Sequence, residues 1–376
     1  MSPDNFTERT DAIVRQIQQL VEIESPSGDA QGNLNVMTWL VDRAARIPAI
    51  TSVERIPAGR FGEHIILRAF EDVAGEKPVL LLGHTDTVHP KGTKSQNPTR
   101  IENGMLYGCG VFDMKANIVL MLEAVRAIAE SGDAPKRPVN ILLTCDEEVG
   151  SPTGREVVEA EAAKAAFALV SEPSADGKAK TGRKGTGGYR IIAKGIPAHA
   201  GLEPEKGASA ILELARQIQN IHTLGNPANG TTVNVCTIGG GTATNVIPEN
   251  AECSVDVRFT SLEEAERIDR DLKSLASNDE RVSITVEGAI NRPPMERSEK
   301  VIALFEKARE ISAEFGYELG ETQVGGASDG NFIAALGVPV LDGLGVRGEG
   351  AHTLGERIHI DEIPFRAALL QKLIQS

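Results

Sequence analysis

The side chains in this sequence with the most chemical potential are of the kind that bind divalent metals: His84, Asp86, Asp113, the adjacent Glu147 and Glu148, Glu172 and His352. Several follow short apolar runs. Pro78-Val79-Leu80-Leu81-Leu82 precedes His84, Val139-Asn140-Ile141-Leu142-Leu143 precedes the acidic triplet, and Ala166-Phe167-Ala168-Leu169-Val170 precedes Glu172. Runs of this length and content read as buried strands. In open α/β sheets ligands gather outside the carboxyl ends of the strands, so these side chains can meet at one sheet edge. Two imidazoles and several carboxylates meeting there would hold divalent metal.

Each segment alone leaves alternatives open. In Gly83-His84-Thr85-Asp86-Thr87-Val88 a ligating histidine would pass its other ring N–H to a carboxylate, for which Asp86 is the natural candidate, but a strand-end histidine is also an ordinary packed residue. Asp113, in Gly108-Cys109-Gly110-Val111-Phe112-Asp113-Met114-Lys115, reads equally as a helix N-cap. Asp146-Glu147-Glu148 is either a solvated charge run or a trio of carboxylates compensated by cations, with one serving as ligand and its neighbour as base. Glu172 in Ser171-Glu172-Pro173-Ser174 and His352 in Gly350-Ala351-His352-Thr353 gain weight only from the ensemble.

Positioning these residues requires an α/β framework. Apolar spacing predicts amphipathic helices over Asp4 to Glu24 and Gly32 to Ala45. Strands are expected at Thr51 to Ile56, His64 to Ala69 and before His84, then a helix from Lys115 to Ser131 and a strand before Asp146. Between Lys184 and Glu287 the signals change to a strand–helix–strand–strand–helix–strand order, the ferredoxin-like arrangement. After Pro293-Pro294 helix and strand signals resume to the end of the chain. Because Glu172 precedes this piece and His352 follows it, the expected organisation is a discontinuous catalytic domain, 1–183 and 289–376, with an inserted α+β lid at 184–288.

The chain has 376 residues, 41% of them hydrophobic, and a formal net charge of −14. That charge argues against nucleic-acid or anionic-membrane partners, which need clustered Lys and Arg. Cys109, Cys145, Cys236 and Cys253 show neither a disulfide framework nor Cys-x-x-Cys spacing. With no apolar signal core at the start and no span of about 18 apolar residues, the expected location is cytoplasmic.

In this order and with this insertion, the motifs closely resemble the co-catalytic zinc family that contains glutamate carboxypeptidase, acetylornithine deacetylase, succinyl-diaminopimelate desuccinylase and aminoacylase. The resemblance covers nearly the whole chain and implies a mixed-sheet zinc-peptidase domain carrying a lid that also dimerises. It implies that Asp113 bridges two zinc ions, with His84 and Glu172 completing one site and Glu148 and His352 the other. The same donors also suit manganese or cobalt. Glu147 would be the general base of amide hydrolysis and Asp86 the carboxylate orienting His84.

Further motifs resemble the family's substrate contacts. His199 in Pro197-Ala198-His199-Ala200-Gly201 matches the lid histidine that stabilises the oxyanion in the other subunit's site. Arg258 in Asp256-Val257-Arg258-Phe259 matches the arginine that grips a substrate carboxylate, and Asn245 a polar contact beside it. Arg292 and the loop containing Gly326 are weaker candidates for the pocket wall. The function implied is a homodimeric hydrolase of N-acyl or N-peptidyl amino acids, closest to glutamate carboxypeptidase. The alternatives are a deacylase of the acetylornithine or succinyl-diaminopimelate type and a metal-binding homologue without activity.

Overall fold

The computed structural model describes residues 3–73 and 75–376. They divide into two compact units. One comprises the described residues up to 182 with 297–324 and 328–376, and the other comprises 183–296 with 325–327. In chain order the principal strands are β1 (Ile50–Pro57), β2 (Glu63–Ala69), β3 (Val79–His84), β4 (Val139–Thr144), β5 (Phe167–Val170), β6 (Gly185–Lys194), β7 (Thr232–Gly240), β8 (Asn250–Phe259), β9 (Ser283–Arg292) and β10 (Val340–Leu341).

The first unit is built on a six-stranded mixed sheet in the order β1-β2-β4-β3-β5-β10. β3 runs parallel to both β4 and β5, and β10 parallel to β5, whereas β2 is antiparallel to β1 and β4. Every residue of β3 and β4 is buried, which accounts for their near-continuous apolar sequences. Leu80, Leu81 and Leu82 are all sequestered, each contributing about 2 kcal/mol of hydrophobic stabilisation that offsets the cost of holding charged groups at the strand end. Ala116–Ser131 is buried over most of its surface and packs on the C-terminal helix Ile363–Gln375. Such all-round apolarity belongs to a core helix rather than a surface one.

At the N-terminus the structure departs from the single helix expected over Asp4 to Glu24. Asp4–Thr7 and Thr10–Val21 are separate helices. The Thr7 and Thr10 hydroxyls bond back to the carbonyls of Pro3 and Phe6, competing with the backbone ladder at the break.

A second, small sheet was not anticipated. Gly348–Glu349, Arg357–His359, Met105–Tyr107 and Arg100–Glu102 pair in that order, with Arg357 opposite Tyr107 and His359 opposite Met105. Strands of two or three residues carry too little alternation to be read from sequence. This pairing fastens the segment after His352 to the segment before Asp113.

The second unit has the order strand, helix (Ala210–Thr223), strand, strand, helix (Leu262–Lys273), strand. Its antiparallel sheet runs β7-β8-β6-β9. Alternate residues of β6 and β8, among them Ile191, Ala193, Val255 and Val257, join Leu214, Ile221, Ile268 and Leu272 of the helices in a core of their own. Ser209 and Ser261 cap the two helices by accepting the N–H groups of Leu212 and Glu264. Among the described residues no helix is long and apolar enough to cross a membrane.

Candidate metal centre

Three neighbouring parallel strands deliver the central donors to one edge of the sheet. β3 ends in His84, β4 is followed by a single 3-10 turn containing Glu147 and Glu148, and β5 leads directly to Ser171-Glu172. Asp113 stands in the turn ahead of Ala116–Ser131, where the Asp113–Met114 peptide bond is cis. His352 lies between the short strands Gly348–Glu349 and Arg357–His359, at φ 65°, a left-handed conformation uncommon outside glycine.

These residues form two donor sets that share Asp113. His84 Nε2 is 3.1 Å from Asp113 Oδ1 and 3.4 Å from Glu172 Oε1. His352 Nε2 is 3.3 Å from Asp113 Oδ2 and 3.3 Å from Glu148 Oε2. Each triplet, His84–Asp113–Glu172 and Asp113–Glu148–His352, has ligand atoms within 4.8 Å of one another. Ligands about 2.1 Å from a tetrahedral zinc stand roughly 3.4 Å apart, close to these separations. Glu148 Oε1 is buried and lacks a hydrogen-bond partner, as expected of an oxygen meant for a cation.

The electrostatics point the same way. Burial pushes the Glu148 carboxyl up, with His352 opposing. Burial also disfavours charge on Asp113, yet His352 and His84 hold that carboxyl well below the usual range. Asp113 and Glu148 raise the His352 imidazole to about 10. His84 is raised as well: burial opposes its charge, but Asp113, Asp86 and Glu172 outweigh it. Protons on the imidazoles thus stand in for positive charge that divalent ions would supply by displacing them.

Asp86 is buried, and both its main-chain carbonyl and its carboxylate face His84. His84 Nδ1 lies 2.9 Å from the Asp86 main-chain carbonyl and 3.4 Å from its Oδ1. The carboxylate also accepts the N–H groups of Glu147 and Glu148, each at 3.2 Å, and the Ser27 hydroxyl at 2.6 Å. Asp86 therefore ties the acidic turn to the His84 loop. Neither Ser27 nor Glu356, which accepts the Asp113 N–H, is marked by its sequence context as part of the site. A Ser or Glu without metal-ligand spacing gives little signal. Cys109 and Cys145 are buried free thiols, as the sequence suggested, and burial pushes the Cys145 thiol far above its ordinary value.

The remaining candidates lie in the second unit. His199 Nδ1 accepts the N–H groups of Gly201 (3.1 Å) and Leu202 (3.2 Å), which assigns the ring proton to Nε2 on an exposed imidazole. Asn245 is joined to the same loop, its carbonyl accepting the Ala200 N–H at 2.9 Å. The Arg258 guanidinium grips Asp256, Nε at 2.9 Å from Oδ1 and Nη2 at 2.8 Å from Oδ2. Arg292 is buried at the end of β9, whereas Gly326 is exposed and its carbonyl accepts from Arg183 Nη1 at 3.2 Å.

The two histidine–carboxylate sets that share Asp113 are each suited to a divalent metal, and the chain belongs to Peptidase family M20/M25/M40, whose model matches residues 80–376. It is accordingly a metal-dependent hydrolase of the peptidase and amidohydrolase type. Among its relatives, carboxypeptidase G2 of Pseudomonas sp. (strain RS-16) is 28% identical over 374 residues, covering 98% of this chain and 90% of the relative. Succinyl-diaminopimelate desuccinylase of Nitrosococcus oceani is 27% identical, covering 80% of this chain and 84% of the relative. In fold, the chain matches aminopeptidase PepT from Bacillus cereus with a TM-score of 0.76 at 23% identity, over 97% of this chain and 98% of the other. An M20 family metallo-carboxypeptidase from Sulfolobus solfataricus also gives 0.76, at 15% identity over 96% and 98% of the two chains.

Proposed function

We propose that the protein is a co-catalytic di-zinc hydrolase that cleaves the amide bond of an N-acyl or N-peptidyl amino acid and releases a C-terminal glutamate or similar residue. The observation that carries this reading is the division of Asp113 between two histidine–carboxylate sets. His84 and Glu172 would hold one ion, Glu148 and His352 the other, with Asp113 shared. Bound there, two zinc ions would lower the pKa of a common water and polarise the scissile carbonyl.

The chain's own residues do the rest. Glu147 takes the proton of the attacking water and returns it to the leaving amine, acting first as base and then as acid. Asp86 holds the Glu147 N–H and so keeps the base in register with the His84 loop. His199, with its proton on Nε2, donates to the developing oxyanion in the other subunit's site. Arg258 receives the substrate carboxylate in its fork, with Asn245 beside it. Because Asp256 engages two of the Arg258 nitrogens, the substrate carboxylate competes with Asp256 or uses Nη1.

The protein acts as a homodimer in this reading, joined through the second unit. β7 lies at the edge of its sheet, and Ile238, Ile211 and Leu212 are exposed on that strand and the neighbouring helix. A strand with one open edge and apolar side chains beside it favours pairing with a second copy.

The desuccinylase relative favours a second reading, an N-acyl-amino-acid deacylase, since the same arginine would serve any substrate with a free carboxylate. A panel of folyl-glutamate, Ala-Glu, Gly-Glu, N-acetyl-ornithine and N-succinyl-diaminopimelate, assayed with zinc, separates the two. Turnover of the glutamate substrates is expected. Turnover of the acyl substrates alone would favour the deacylase. A purified protein that hydrolyses none of them, and retains less than about one transition metal per chain after zinc is supplied, contradicts both.

A further inference from the structure

Glu356 is completely buried and makes no contribution to either donor set, yet its carboxylate is surrounded by donors. Oε1 accepts the N–H groups of Phe112 (2.8 Å) and Asp113 (2.9 Å). Oε2 accepts the Gly110 N–H at 2.7 Å and stands 2.6 Å from His89 Nε2. The Glu356 main-chain carbonyl also accepts the Gly108 N–H, at 3.3 Å. A carboxylate offers about four lone-pair sites, and here all four are taken by protein donors.

Those donors come from the segments that supply the metal-type side chains. His89 is five positions beyond His84 in the loop after β3, Gly110 to Asp113 form the turn that ends in the shared ligand, and Glu356 itself follows His352. Gly110 has φ 72°, and a Cβ there would lie 2.5 Å from Thr87 Cγ2, so the turn can wrap the carboxylate only with glycine at this point. The converging main-chain N–H groups form an anion-binding concavity whose anion is built into the protein.

We infer that Glu356 is the positioning residue of the dinuclear centre, gripping the main chain of Asp113 so that its two carboxylate oxygens face His84 and His352 separately. The inference rests on the reading of this cluster as a two-metal site. Glu356 acts through Asp113 and through the His352 loop, and touches neither ion nor substrate. Its negative charge is required, because a glutamine of the same size has one accepting oxygen and would turn an NH₂ group toward main-chain donors.

Zinc titration of the full-length chain against a chelator of known affinity tests this, alongside hydrogen exchange at the Phe112 and Asp113 amides. Glu356→Gln is expected to weaken zinc binding about 10- to 100-fold and to speed exchange at both amides. Glu161→Gln is the control. Glu161 is also buried, and it accepts from Arg68 and from Asn140 near the opposite end of β4, so it should lower Tm without weakening zinc binding. Wild-type affinity and unchanged exchange in Glu356→Gln would overturn the inference, as would an equal loss of affinity in Glu161→Gln. Should the glutamine variant not fold, Glu356→Asp is read by the same titration, with a loss of affinity expected and wild-type affinity overturning the inference. Failure of the wild-type chain to bind two equivalents of zinc would instead refute the underlying two-metal reading.

Discussion

Glu147 and Arg258 carry the sharpest expectations at the level of single residues. In the proposed mechanism Glu147 moves a proton and binds no metal, so Glu147→Gln should lower kcat about 10²- to 10⁴-fold while both zinc ions are retained. Steady-state kinetics and metal analysis on the same preparation check this, and near-normal turnover would remove Glu147 from the mechanism. Arg258 differs in kind, because its contribution is a planar fork already occupied by Asp256. Arg258→Lys keeps the charge and loses the fork, so KM for a substrate with a free carboxylate should rise roughly tenfold or more. The same change should leave the corresponding amidated substrate unaffected, and an equal effect on both would show that the fork does not read the carboxylate.

At the scale of elements, the helix Leu262–Lys273 illustrates how the second unit is held together. Its Glu264 is buried and accepts from Arg267 at 2.8 Å and also from the Thr231 hydroxyl. The Arg267 guanidinium, against some opposition from burial, lowers this carboxyl from 4.5 to about 2. A depressed folded-state pKa contributes stability above pH 4.5 that is lost as pH falls from 4.5 toward 2. Glu264→Gln should therefore lower Tm at pH 6 and leave it nearly unchanged at pH 2. An equal loss at both values, followed by calorimetry, would mean that charge on Glu264 is irrelevant. The small sheet Arg100–Glu102, Met105–Tyr107, Gly348–Glu349 and Arg357–His359 works at the same scale, since it brings the Asp113 and His352 segments together.

For the whole molecule, metal and oligomer are the relevant variables. Without metal, His352 keeps its proton to about pH 10 instead of an ordinary 6.5. That raised pKa stabilises the metal-free fold below pH 6.5, and the contribution fades as pH rises toward 10. Zinc must displace the proton, so the Tm difference between zinc-loaded and chelator-treated protein should widen from pH 6.5 to 9. A gap that stays constant would separate His352 from the metal. If His199 serves the partner's centre, mixed dimers of His199→Ala and Glu147→Ala chains should recover about a quarter to a half of wild-type activity, since one of the two sites is then intact. Verified heterodimers without recovery would confine each site to its own subunit.

Much of the chemistry was legible in the sequence because strand ends are. Continuous apolar runs mark β3, β4 and β5 as buried strands, and His84, Glu147, Glu148 and Glu172 follow those runs within a residue or a few. The strand–helix–strand–strand–helix–strand order of the second unit was legible for the same reason, since alternation and helical periodicity are local properties. Other features depend on segments far apart in the chain. Asp86 offers His84 its carbonyl more closely than its carboxylate, because that carboxylate is drawn to the N–H groups of Glu147 and Glu148. Arg258 is engaged by Asp256, a pairing the sequence allowed without selecting. Glu356 had no visible role until the turn from Gly110 to Asp113 closed around it. Residue types and local periodicity determine which donors the chain can offer. Their assignment to partners is decided by long-range packing, because a buried carboxylate must satisfy every lone pair with whatever donors the fold brings within reach.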